Sequence, residues 1–183
     1  MLLSIFEVYN NILQINKRLE VMRIVQENVR NITEQIATDI REKGIDFNYY
    51  TSTTEGNNYT GSGNTLLAIY GNEQYFAMKE NTTGTIEQCK DVDLQNPLTH
   101  CYIGRKSGST YKYLSDKRVR VENIRFFLSG NPSNTLTNES QEWKATIILT
   151  LRIENTAGVS SEIAKSSQMT IQTTISEKAY KKE

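Results

Sequence analysis

Two cysteines and the single histidine are the residues of this 183-residue chain that could support catalysis. Cys89 and Cys101 flank an eleven-residue segment, and His100 directly precedes the second cysteine. A thiol beside an imidazole could form a nucleophile–base pair. The alternatives are a disulfide, which the chain-entropy model values at about 3 kcal/mol, and two unrelated buried thiols. No Ser/Cys–His–acid set is visible beyond chance, so we expect no enzymatic activity, no cofactor and no small-molecule substrate.

Acidic side chains at alternate positions lie between the two cysteines. Asp91, Asp93 and Gln95 have the oxygen spacing of a calcium-binding loop. An EF-hand loop also needs a central glycine and a distal bidentate glutamate, and both are missing. We therefore expect a polar loop here and no bound metal.

A basic stretch interleaved with tyrosines follows the second cysteine. Cationic side chains beside stacking rings are what proteins use to bind single-stranded nucleic acid. The chain as a whole carries 21 basic and 21 acidic residues, so no overall field attracts a polyanion. We expect a solvated hairpin and no nucleic-acid partner. The stretch comprises Arg105, Lys106, Tyr111, Lys112, Tyr113, Lys117, Arg118 and Arg120, interrupted by Asp116.

The element that must position everything else is a long N-terminal helix. Residues 1–43 contain no proline or glycine, and Gly44 suits the left-handed position just past a helix end. At 1.5 Å per residue this helix would be roughly 65 Å long, about twice the diameter of a small domain. Part of it must therefore project and find another partner. Its apolar stripe runs at steps of three or four through Ile5, Val8, Ile12, Ile15, Leu19, Met22, Val25, Val29, Ile32, Ile36 and Ile40.

The two ends of this helix differ in how many faces are apolar. A second apolar stripe accompanies the first only at the beginning, and it predicts an assembly face formed by Leu2, Leu3, Phe6, Tyr9 and Leu13. Beyond that point one apolar face remains. It predicts helix–sheet packing through Met22, Val25, Val29, Ile32, Ile36 and Ile40.

Alternating apolar residues predict strands after a loop-like segment at 45–63. Gly71-Asn72 signals a tight hairpin, and a shift of alternation near Glu122-Asn123 signals a bulge. The clearest strand runs from Trp143 to Ile153, and a last strand spans residues 169–175. The expected fold is α+β, with helix 1–44 packed on one meander-like antiparallel sheet formed within a globular domain, 45–183.

Four stretches together resemble the type IV pilin-like proteins, in particular minor pilins and minor pseudopilins of type II secretion. They are the helical segment MRIVQENVRNITEQIATDIREKG, the strand and loop VRVENIRFFLSGN, the strand WKATIILTLRIEN and the closing strand MTIQTTISEK. The family begins with a basic leader, a glycine cleavage point, Phe-Thr-Leu and a nearby glutamate. That run is absent and Glu7 is not that glutamate, so we expect the membrane-spanning half of the helix to be missing.

The resemblance implies function by assembly. Such subunits rest in the inner membrane through the helix when full length, and then enter a filament whose core is bundled helices. The expected partners are other pilin or pseudopilin subunits, and the expected location is the cell surface or the periplasmic or extracellular space. The resemblance also favours the Cys89–Cys101 disulfide. A surface binding module for DNA uptake or adhesion on a helical stalk, and a self-contained coiled-coil fibre protein, are the alternatives.

Overall fold

The computed structural model describes residues 2–52, 63–96, 99–129, 144–154 and 159–177. It has the expected α+β class, with a long N-terminal helix and antiparallel strands. In chain order the elements are α1 (Leu2–Lys43), α2 (Phe47–Ser52), β1 (Leu66–Ile69), β2 (Glu73–Glu80), β3 (Ile86–Gln88), α3 (Asp91–Gln95), β4 (Tyr102–Ser107), β5 (Thr110–Tyr113), β6 (Val119–Ser129), β7 (Lys144–Ile153), α4 (Ser161–Ser166) and β8 (Met169–Ser176).

The described strands form two antiparallel sheets, so the expectation of a single meander-like sheet was wrong. Sheet A has the order β1-β2-β4-β5, with β3 pairing to a further part of β2, and sheet B has the order β6-β7-β8. The sheets meet where Asn64 forms an isolated bridge with Phe126. Alternation along a strand shows which face is buried but does not specify which strand pairs with it, because pairing depends on long-range contacts.

The local strand signals are confirmed. The turn between β1 and β2 places Gly71 at φ 93° and Asn72 at φ 60°, the left-handed region that glycine and asparagine tolerate best. The register of β6 against β7 shifts between Val121 and Asn123, which is the predicted bulge. Along β7, Ala145 and every second residue to Ile153 are buried, as the alternation predicted.

Three short helices are present in the described residues in addition to α1, and two of them, α2 and α3, occupy segments that were expected to be loops. They are α2 after the long helix, α3 between the two cysteines, and α4 before the last strand. The predicted start of β7 at Trp143 lies outside the described residues. The Asp93 side chain accepts a hydrogen bond of 2.9 Å from the backbone N–H of Lys90, which satisfies a donor at the start of α3.

The second half of α1 packs across sheet B and reaches β1 of sheet A. It ends at Lys43, and Gly44 follows at φ 81° with its N–H donating to the Ile40 carbonyl oxygen at 3.0 Å. An isolated bridge between Ile45 and Ile69 then attaches the chain to sheet A. This arrangement fixes the C-terminal end of the helix to the domain, and the N-terminal end extends away from it.

Candidate assembly interface on the N-terminal helix

The N-terminal half of α1 exposes a large apolar surface. Eight large apolar side chains between residues 5 and 19 are 48% to 66% exposed, and they cover four turns of the helix. Soluble proteins commonly expose single apolar residues, but a contiguous set of this size marks an interaction surface. The set comprises Ile5, Phe6, Val8, Tyr9, Ile12, Leu13, Ile15 and Leu19.

These side chains form the two neighbouring stripes that the sequence predicted. One stripe runs from Ile5 to Leu19 at steps of three and four, and Phe6, Tyr9 and Leu13 lie beside it. All three of these second-stripe residues are exposed. The side chains of the other two predicted members, Leu2 and Leu3, lie outside the described residues. The exposed apolar surface therefore covers about half of the helix circumference at this end.

From Val21 onward, the apolar side chains on one face of α1 are buried instead of exposed. Five of the six predicted helix–sheet residues are buried: Val25, Val29, Ile32, Ile36 and Ile40 are each at most 6% exposed. Met22, the sixth, is half-buried. The sequence interpretation missed Val21 and Ala37, which are both buried.

The apolar stripe turns relative to the sheet along the helix. A stripe with a repeat of seven residues drifts about 20° per heptad on a straight α-helix. Ile5 and Ile40 are five heptads apart, so the stripe rotates by about 100° between them. The stripe therefore faces the sheets at residues 25–40, but at residues 5–19 it has rotated away from that direction. Leu19 and Val21 lie about 200° apart around the helix, so Leu19 on the stripe is 60% exposed while Val21 on the other side is 2% exposed.

A buried cluster of charges locks the second half of α1 onto sheet A. Asp39 on the helix accepts a hydrogen bond from the Tyr75 hydroxyl and lies 3.4 Å from an Arg105 guanidinium nitrogen. Glu73 pairs with Lys43 at 2.8 Å and with Arg105 at 2.5 Å. Burial and the Asp39 carboxylate raise the pKa of Tyr75, and the hydrogen bond with Glu73 raises the pKa of Lys43. Two buried carboxylates face two half-buried cations, so the cluster holds the helix without a net charge.

A cleft marks the point where α1 leaves the domain. The Arg18 Nε donates to the Ser166 hydroxyl at 3.1 Å, and this bond connects α1 to α4. The Ser160 side chain caps α4 by accepting from the Ile163 N–H. The cleft has a volume of about 380 Å³ and is lined by Asn11, Gln14, Ile15, Arg18, Glu162, Ile163 and Ser166.

The structure joins Cys89 and Cys101 in a disulfide. The sulfur–sulfur distance is 2.10 Å, the Cα–Cα distance is 6.3 Å, and both residues are buried. The bond links the end of β3 to the start of β4 and closes the segment that contains α3. With both sulfurs in this bond, neither can act as the thiolate of a Cys–His pair. His100 instead pairs its Nδ1 with the Glu154 carboxylate and stacks on Tyr102 at 4.3 Å between ring centroids.

The acidic residues of α3 are used in ion pairs. Asp91 pairs with Arg125 and Asp93 with Lys79, each at 2.7 Å. The hydrogen bonds from Lys79 and the Lys90 backbone lower the pKa of Asp93. Within the described part of the chain, no group of three or more histidine, cysteine, aspartate or glutamate side chains is placed to hold a metal ion.

The basic stretch does not form one surface. Arg105 belongs to the buried charge cluster, Arg118 pairs with Asp116 at 2.9 Å, and Arg120 is buried and donates to the Leu94 carbonyl oxygen. Arg105 is the strand partner of Lys112, so these two side chains share one face of sheet A. Lys106 is the partner of Tyr111 and lies on the opposite face. The structure thus distributes the basic residues of this stretch over two faces and several ion pairs.

No family model, no curated protein and no solved structure matches this chain. Among the described residues, no helix is both long enough and apolar enough to cross a membrane.

Proposed function

We propose that this chain is a structural minor subunit of a type IV pilus or a type II secretion pseudopilus, and that it assembles through the N-terminal half of α1. The observation that carries this proposal is the division of one helix into a buried half and an exposed apolar half. The resemblance of the sequence to pilin-like proteins names the type of filament. The partners we propose are other pilin or pseudopilin subunits, with the inner membrane holding the full-length form before assembly.

The exposed apolar surface of α1 is large, and its two stripes cover about half of the helix circumference. A single neighbouring helix would cover only one of the stripes. Fully burying a large apolar side chain is worth about 1.5–3 kcal/mol. Side chains already half covered would each gain roughly 1 kcal/mol, so the eight exposed residues offer on the order of 8 kcal/mol. Association costs about 4–15 kcal/mol. A single neighbouring helix covering the Ile5–Leu19 stripe alone would barely offset that cost, whereas a bundle that also covers Phe6, Tyr9 and Leu13 offsets more of it.

The disulfide supports a location outside the cytosol. Disulfides persist in oxidising compartments and are rare where thiol systems keep cysteines reduced. The Cys89–Cys101 bond is therefore consistent with a subunit that folds and works in the periplasm or at the cell surface.

A self-contained coiled-coil fibre protein is the second candidate. The seven-residue repeat of Ile5, Val8, Ile12, Ile15 and Leu19 favours it, because this is the spacing of residues at a coiled-coil seam. The second stripe argues against a two-stranded coil, which would leave Phe6 and Tyr9 in water.

Filament incorporation distinguishes these candidates. Cells that produce the protein from its own gene are sheared, and the filament fraction is probed for the subunit. We expect Ile12→Asp to remove the subunit from filaments. Gln14→Asp is the matched control, because it adds the same charge about 200° around the helix. A purified protein that forms a discrete dimer or trimer, with no subunit in the filament fraction, would contradict the proposal and favour the coiled coil.

A further inference from the structure

The outer face of sheet A carries a cleft that none of the residues of α1 line. Side chains alternate between the two faces of a strand, so Tyr75 and Arg105 point toward Asp39 on α1. Their neighbours Gln74 and Lys106, which are strand partners, lie on the opposite face. A ligand at that face would not compete with anything that covers α1.

The cleft has a volume of about 290 Å³, at the lower end of the range for small-ligand sites. Its floor is made by Leu66 and Phe76, which are only 8% and 5% exposed. Two tyrosines, Tyr49 and Tyr111, line it together with the polar side chains described below. Since the floor is already buried, a purely apolar ligand would gain little area here.

The two tyrosines of the cleft differ in their surroundings. The ring of Tyr49 meets the ring of Tyr50 edge-to-face, with centroids 5.5 Å apart. Tyr50 is buried, and its hydroxyl donates to the Leu66 carbonyl oxygen and accepts from the Ala68 N–H. Tyr111 is 37% exposed, and Lys106 Nζ lies 5.8 Å from the centre of its ring. The cleft thus offers one ring, Tyr49, that packs against a buried tyrosine, and a second ring, Tyr111, that is exposed to a ligand.

Three polar side chains that line the cleft, Gln74, Gln88 and Lys106, could form hydrogen bonds or an ion pair with a ligand. No hydrogen bond or ion pair engages Gln74 or the Lys106 ammonium within the described part of the chain. Gln88 donates from Nε2 to the Thr65 hydroxyl at 3.1 Å, which fixes its amide. The amides supply donors and acceptors and the lysine supplies one positive charge.

We propose that this cleft binds an acidic sugar, with the sugar ring against Tyr111, its hydroxyl groups on Gln74 and Gln88, and its carboxylate on Lys106. A sugar ring has one apolar face of C–H groups and a rim of hydroxyls, which matches rings flanked by amides. Nucleic acid fits poorly, because one lysine lines the cleft and the arginines Arg105 and Arg118 of the basic stretch are used in ion pairs. An added peptide strand needs a free sheet edge, and this cleft lies on a sheet face. The inference is independent of the assembly proposal.

The test is an array of oligosaccharides containing uronic or sialic acid, each printed beside its uncharged counterpart. We expect the 183-residue protein to be retained on acidic sugars, with dissociation constants near or below about 1 mM. Tyr111→Ala should lower retention at least tenfold, and Lys106→Gln should abolish the preference for the acidic members. Tyr70→Ala is the matched control, because Tyr70, in the turn that follows β1, is also an exposed tyrosine, 47% exposed, and does not line the cleft.

Circular dichroism and thermal melting first establish that all three variants are folded. The proposal is overturned if no printed sugar is retained, if neutral sugars are retained equally well, or if Tyr111→Ala binds like Tyr70→Ala. Loss of filament incorporation has no bearing on these outcomes, so the two proposals fail separately.

Discussion

Two isoleucines of α1, one buried and one exposed, allow the difference between the two halves of the helix to be measured as a difference in the free energy of unfolding. Ile36 is fully buried against the sheets, while Ile12 is 50% exposed on the projecting half. Ile36→Ala removes buried methyl and methylene groups and leaves a cavity, at a cost of about 2–5 kcal/mol. Ile12→Ala leaves no cavity in the isolated subunit, and alanine has the higher helix propensity, so its effect should lie within about 0.5 kcal/mol.

Urea unfolding followed by circular dichroism measures both values on dilute protein. For a domain of this size each kcal/mol lost from the free energy of unfolding lowers the melting temperature by about 2–4 °C, so the Ile36→Ala variant should melt roughly 4–20 °C lower in a thermal scan. The m-value should be unchanged in both variants. Equal destabilisation by the two substitutions would refute the reasoning, because it would mean that residue 12 is packed against the domain.

Three further predictions concern the domain. Replacing both Cys89 and Cys101 by serine should cost about 3 kcal/mol in urea unfolding, and alkylation of unreduced protein followed by mass spectrometry should modify neither cysteine; two modified thiols would contradict the disulfide. Tyr50→Phe should cost about 1–3 kcal/mol, because the buried Ala68 N–H loses its partner; an unchanged unfolding midpoint would contradict this. Because its pKa is lowered in the folded state, Asp93 contributes stability that is fully present above its ordinary pKa near 4 and is lost as the pH falls through the lower folded-state pKa. Asp93→Asn should therefore flatten the loss of stability below about pH 4, measured by melting across pH, and an unaltered pH profile would count against the Lys79 pairing.

Local patterns carried most of what could be predicted of the fold. The alternation along β7, the shift near Glu122 in β6 and the Gly71-Asn72 turn each depend on neighbouring residues, and each was found in the structure. The number of sheets depends on which distant strands pair. That information is not contained in any single strand, so the sequence suggested one sheet where the described strands form two.

The exposed apolar face of α1 could be predicted from the sequence, whereas the cleft on sheet A could not. Exposed residues such as Phe6 and Leu13 were identified from the sequence, because a second apolar stripe on a helix is a local signal. Asp39 gave no such signal, since a single aspartate between Ile36 and Ile40 looks like a solvated position. Its burial depends on Tyr75 and Arg105, which are more than thirty residues away. The cleft on sheet A is likewise formed by residues of several strands that adjoin only after folding.

Accessibility of α1 inside a filament is the most direct test of the central claim. The two cysteines of the chain are joined in the disulfide, so a single cysteine introduced elsewhere can be labelled selectively with a thiol reagent. Ile12→Cys should react rapidly in the purified subunit and should be protected in sheared filaments. Lys112→Cys, exposed on the domain surface, is the control that should react in both. Equal labelling of Ile12→Cys in subunit and filament would contradict the claim that the exposed half of this helix is the assembly interface.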